Sequence, residues 1–131
     1  VARILILDIP KPDDLDWLNS NDRRFRFNKA KLTREWRELG VKAVRKALGT
    51  TPTENESPNM FQCRVHVTAR FWKPTRAHYD PNVWPTVKAI CDGFTDAGLW
   101  VDDDHEHVEG PDMRHGGYGA ARVVLTIEEV R

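Results

Sequence analysis

The sequence predicts an α+β fold: one small domain over residues 1–131, built as a mixed β-sheet of about three to four strands with two main helices packed on it. Three observations predict it. Apolar residues alternate or cluster in three short runs. In two longer stretches they recur at three- and four-residue spacings. A chain of 131 residues, 40% hydrophobic and 31% charged, is long enough for one modest core and too apolar to be disordered.

Residues 2–9, ARILILDI, form an apolar run read as the first strand. Pro10 and Pro12 then disfavour continued regular structure. Residues 11–24 show no sustained periodicity and read as a loop, rich in turn formers from Asn19 to Asp22. From about Lys31 to Leu48 the pattern is helical, with Leu32, Trp36, Leu39, Ala43, Val44, Ala47 and Leu48 on one stripe. Thr33 is one N-cap candidate, with an earlier start left open, and Gly49 is a natural stop. Gly40 inside this run costs about 1 kcal/mol relative to Ala. Residues 50–59 are a polar loop.

Between Phe61 and Phe71 the chain alternates. Cys63, Val65, Val67, Ala69 and Phe71 share one face, and Arg64, His66, Thr68 and Arg70 share the other, as in a half-buried strand. Residues 73–82 read as a loop. Pro85 opens a second helix where a missing N–H does no harm, Val87, Ile90, Cys91 and Phe94 make its apolar face, and Gly98 ends it. Residues 110–120, with Gly110, Gly116, Gly117 and Gly119, read as a loop, and residues 122–128 as a final strand. No internal repeat or linker divides the chain.

No apolar run approaches the roughly 18 residues that would span a bilayer, so no membrane association is expected. No signal peptide is visible in the chain as it begins at Val1, and a cytoplasmic location is expected. Cys63 and Cys91 are the only cysteines. Both are expected as buried thiols rather than a disulfide, and a four-cysteine zinc site is excluded by count.

Net charge is zero, yet charge is segregated. Residues 22–46 carry ten Lys/Arg against three acids, a balance of +7, and residues 92–131 carry ten acids against three Arg, a balance of −7. A basic lobe beside an acidic one suits phosphate binding next to a metal site. The bland alternative is a solvated helix face. Asp80 and Asn82 lie just before the second helix, and Asp102, Asp103 and Asp104 follow it. Chain segments at the two ends of a short helix can fold back into one site, and clustered hard oxygens suit Mg²⁺ or Mn²⁺ and phosphodiester cleavage. In an extended segment Asp80 and Asn82 point to one side, while Asp103 faces away from Asp102 and Asp104. Lys88, on the polar side of the helix, is placed to stabilise charge on a phosphate; the alternative is an exposed helix lysine. His105 and His107 do not have a zinc spacing, and GGYG at residues 116–119 is no P-loop. Of the five tryptophans, Trp84 is the candidate for DNA contact and the others are expected in the core or an interface.

On Asp80, Lys88, Asp92, the AGLW stretch at residues 97–100 and the pair Asp102 and Asp103, the chain resembles the RusA family of Holliday junction resolvases, in the form often carried by phages. The loop NSNDRR at residues 19–24 and the basic helix with Trp36 are similar to that family's N-terminal region. The resemblance implies a homodimeric Mg²⁺- or Mn²⁺-dependent endonuclease that nicks four-way DNA junctions symmetrically. It matches Asp80 and Asp103 to the family's first and last carboxylates and Lys88 to its helix lysine, which makes these three the catalytic residues. Metal chemistry then gives Asp80 and Asp103, helped by Asn82 and Asp102, as the expected metal ligands, and Arg23, Arg24, Arg26, Lys29 and Arg76 as the expected contacts to DNA phosphates. The family pattern has two carboxylates where DPN offers one. Asn82 either replaces the second or is the family's Asn with one acidic residue deleted before it. The alternative function is a branched-DNA-binding module with weak or no catalysis.

Overall fold

The computed structural model describes residues 3–21, 26–48, 60–74 and 81–130. In chain order these form β1 (Ile4–Pro10), α1 (Arg26–Leu48), β2 (Val65–Lys73), a 3-10 turn (Pro81–Val83), α2 (Trp84–Asp96), β3 (Val108–Tyr118) and β4 (Arg122–Glu129). The strands make one mixed sheet in the order β1-β4-β2-β3. β4 lies antiparallel to both β1 and β2, whereas β2 and β3 run parallel. Parallel neighbours need a crossover, and α2 lies within it.

Alternation decides which face of the sheet is covered. Leu7 and Ile9 of β1, Val65, Val67, Ala69 and Phe71 of β2, and Val123, Leu125 and Ile127 of β4 are all buried. They meet Trp36 and Val44 of α1 and Val87, Ile90, Cys91 and Phe94 of α2 in one core. Strand alternation and helix stripe therefore place the two helices on one face, the α+β arrangement expected. The loop after β1 joins the core as well. Leu15 and Leu18 are buried, Trp17 stacks on Trp36 with centroids 5.1 Å apart, and the Trp36 indole donates to the Asp16 carbonyl at 2.9 Å.

Four local expectations need correction. The Gly-rich stretch read as a loop is β3, an edge strand with register shifts opposite His66/Thr68 and Phe71/Trp72. Its glycines answer to neighbours: a Cβ at Gly116 would stand 2.6 Å from the Trp72 Nε1, and Gly110 has φ +93°. α1 begins at Arg26, so Thr33 is no cap; its hydroxyl donates back to the Lys29 carbonyl at 2.8 Å. Cys63 is exposed because β2 starts only at Val65, whereas Cys91 is buried as expected. Gly40 is not merely a weak spot, since a Cβ there would stand 2.4 Å from the Ile90 carbonyl oxygen, where α1 and α2 cross. Gly49 and residues 50–59 lie outside the described residues. Among the described residues no helix is long and apolar enough to cross a membrane.

Candidate active site

Lys88 projects from the polar side of α2, one turn before Asp92. Its ammonium donates to Asp92 Oδ1 at 2.8 Å and to Asp103 Oδ2 at 2.7 Å. Asp92 arrives by helical periodicity alone, since residues four apart share a face. Asp103 arrives through a reversal of the chain. At the end of α2 the Leu99 N–H donates to the Phe94 carbonyl at 3.0 Å and the Gly98 N–H to the Thr95 carbonyl at 3.1 Å, with Gly98 at φ +79°. That is a Schellman stop, which glycine closes without a Cβ penalty. Leu99 and Trp100 then bury themselves, and the Trp100 indole donates to the Thr95 hydroxyl at 2.7 Å. AGLW thus turns the chain back along α2 and delivers the acidic run to Lys88.

The three consecutive aspartates do three different things in a bend rather than alternating along a strand. Asp103 alone bonds Lys88. Asp102 Oδ1 accepts the Asp103 N–H at 2.8 Å. Asp104 Oδ1 accepts the N–H groups of Glu106 and His107, both at 3.1 Å, and meets His107 Nδ1 at 2.6 Å. The hydrogen bond from Lys88 holds the Asp103 carboxyl below its usual range, against a smaller opposing effect of burial. Asp103, then Asp92, pushes the Lys88 ammonium higher than an ordinary lysine. Both partners are therefore charged across the neutral range. Beside them the Cys91 thiol is pushed up to about 12 by burial, so it stays protonated.

A slot opens from this cluster. Trp84, Val87 and Cys91 of α2 and Val108, Pro111 and Met113 of β3 line it together with Lys88 and Asp103, around a volume of about 320 Å³. α1 approaches from the other side. The backbone of Arg37 lies against Gly93, where a Cβ would stand 2.1 Å from the Arg37 carbonyl oxygen. The Arg37 guanidinium grips Asp96 through Nε to Oδ2 and through Nη2 to Oδ1, the latter at 2.8 Å, and it also feels the charges of Asp92 and Asp103.

Of the residues singled out from sequence, Lys88 and Asp103 come together and Asp102 adjoins them. Asn82 lies in the 3-10 turn before α2, not in an extended segment; its side-chain oxygen accepts the Ser20 hydroxyl at 3.2 Å and its carbonyl the Ser20 N–H at 2.8 Å. Lys29 sits near the start of α1. Asp80, Arg23, Arg24 and Arg76, and the side chain of Arg26, lie outside the described residues. Sequence reasoning assigned no role to Asp92 or Arg37. The four-residue spacing from Lys88 was the signal for Asp92, whereas Arg37 stands among ten Lys/Arg between residues 22 and 46 and nothing in the sequence sets it apart. Among the described residues no group of three or more His, Cys, Asp or Glu is arranged to hold a metal ion.

No family model matches the chain, and a search of curated proteins returns no match. Among solved structures it is similar to a thiamine-monophosphate kinase from Stenotrophomonas maltophilia K279a, at 14% identity and a TM-score of 0.31, over 98% of this chain and 31% of that one. The chain thus spans about a third of that kinase's length, and a likeness of this degree carries no argument about fold or activity.

Proposed function

We propose that this chain is a metal-dependent endonuclease that resolves four-way DNA junctions by paired, symmetric nicking. One observation carries the reading: the Lys88 ammonium bonded to both Asp92 and Asp103, with residues from the helix and from the acidic run after it meeting at one point. The residues on which the resemblance to RusA resolvases rests supply all three groups.

The donors that meet here are hard but incomplete among the described residues, where Asp92 and Asp103 converge and no third carboxylate joins them. Two carboxylates converge on one cationic position, and the neighbouring thiol, held protonated, offers no soft ligand. Asp103 and Asp92, with Asp80, Asn82 and Asp102, are the residues that would hold Mg²⁺ or Mn²⁺. When bound, the ion supplies charge neutralisation at the scissile phosphate and acidifies a water. The chain's own groups do the rest. Lys88 donates to a phosphate oxygen as charge develops there. Arg23, Arg24, Arg26, Lys29 and Arg76 hold the backbone of the arms, so that recognition is of shape rather than of base sequence. Two copies in a symmetric dimer suit paired cuts, and branched DNA in the cytoplasm is the expected partner.

A second reading has its own support. The two carboxylates are already neutralised in part by Lys88, as in a branched-DNA-binding module that does not cut. Incubation of the protein with a labelled four-way junction and a matched linear duplex, with Mg²⁺, Mn²⁺ or EDTA, separates the two. Paired nicks on the junction alone, abolished by EDTA, are the expected result. Binding without nicking under every metal condition leaves the module.

A further inference from the structure

The fold absorbs four of the five tryptophans. Trp36 and Trp100 are buried, Trp17 stacks on Trp36, and Trp72 lies under the Arg122 guanidinium at 4.6 Å. Trp84 is different: it is 53% exposed, makes no ring contact among the described residues, and stands on the first turn of α2 as a wall of the slot. Pro111 and Met113 of β3 line the same slot, as do Lys88 and Asp103. At about 320 Å³ it lies at the small end of ligand sites and has room for a single nucleobase. An occupant that suits this lining has an apolar surface to pack on Trp84, Pro111 and Met113 and an anionic group to place beside Lys88. An unpaired nucleobase attached to its phosphate meets each condition, because the base faces pack on indole, proline and thioether while the backbone stays at the charged edge.

We infer that the slot lined by Trp84, Pro111 and Met113 receives one unstacked nucleobase of the bound DNA, with Trp84 as its stacking platform. This rests on the nuclease reading for the source of the base, since a branch point is where bases are most cheaply unpaired. It adds a base subsite to a site otherwise expected to read only backbone.

The test uses the full chain labelled with 5-fluorotryptophan, whose five ¹⁹F resonances include one assigned to Trp84 by comparison with Trp84→Phe. Without metal, the protein is titrated with a thymidine tetranucleotide and with an abasic oligomer of equal length. The expected result is a shift of the Trp84 resonance with the thymidine oligomer only, together with about tenfold weaker junction binding by Trp84→Ala and near-normal binding by Trp84→Phe. Equal shifts with both oligomers, or none with either, overturn the inference. So does a shift produced by protein concentration alone, which assigns the slot to a side chain of a second copy. The two readings fail separately: a Trp84 shift in a protein that nicks no junction keeps the base subsite and sinks the nuclease, and nicking without a Trp84 shift does the reverse.

Discussion

Asp103→Asn removes a charge and keeps a shape, and this separates binding from chemistry. The amide still accepts a hydrogen bond from Lys88, so folding and junction affinity should stay near wild type while cleavage falls to the level seen in EDTA. Full activity in that variant removes Asp103 from the site. Lys88→Ala is expected to lower the cleavage rate about a hundredfold with little change in junction affinity, as for the loss of one preorganised donor. An unchanged rate reduces Lys88 to a surface ion pair, of the kind worth little in water. Asn82→Asp keeps an acceptor for the Ser20 hydroxyl and adds a carboxylate, so activity should hold or rise if Asn82 is a ligand. A large loss with normal folding counts against that role. At this scale the helix partners of the site were legible, because Lys88 and Asp92 need only the helical period to meet. The family resemblance singled out Asp103 among the three aspartates, but residue spacing did not, because its approach to Lys88 depends on the bend that follows Trp100 rather than on alternation along a strand.

The seam between α1 and α2 is the element on which the site stands, and it tolerates no bulk. Gly93→Ala places a methyl group 2.1 Å from the Arg37 carbonyl oxygen, so the helices must part. A loss of about 3 kcal/mol in a urea melt is expected, at the upper end of overpacking costs, and a loss below about 1 kcal/mol would show that the seam is looser than this. Arg37 and Asp96 pin the same seam with a pH signature. The Arg37 hydrogen bond lowers the Asp96 carboxyl, so its contribution is present above the ordinary aspartate pKa of about 3.9 and is lost as pH falls through its lowered folded value. Asp96→Asn should therefore be less stable than wild type at pH 7, by at most about 1 kcal/mol for a pair this exposed, and the gap should close as pH falls below the lowered folded value. Local pattern revealed α1 and α2 as apolar stripes, β2 as alternation, and β1 and β4 as short apolar runs. It missed β3 because Gly116 is selected by the ring of Trp72, a contact across the sheet that leaves no local pattern.

On the scale of the whole molecule, zero net charge hides a basic stretch and an acidic one. The fold brings the two together, since α1 carries the first and packs through Arg37 and Gly40 on α2, which opens the second. Arg34, Lys42, Arg45 and Lys46 are exposed along α1, and the acidic cluster lies across the seam. A polyanion binding here should gain affinity as the Lys and Arg of the basic side neutralise its phosphates and release its condensed cations, so junction affinity should fall steeply with salt despite a pI near 7.1. Replacing Arg23, Arg24 and Arg26 together by Ala should weaken junctions of any base sequence alike. It should also lower the steepness of log K against log salt by about 3, close to one for each phosphate contact removed. Trp84→Ala should leave that slope unchanged, because a stacked base displaces no counterion. The pair of variants thus divides backbone recognition by the basic arm from whatever the slot contributes. An unchanged slope in the triple variant would move the phosphate contacts to the exposed face of α1, where Lys42, Arg45 and Lys46 become the residues to replace.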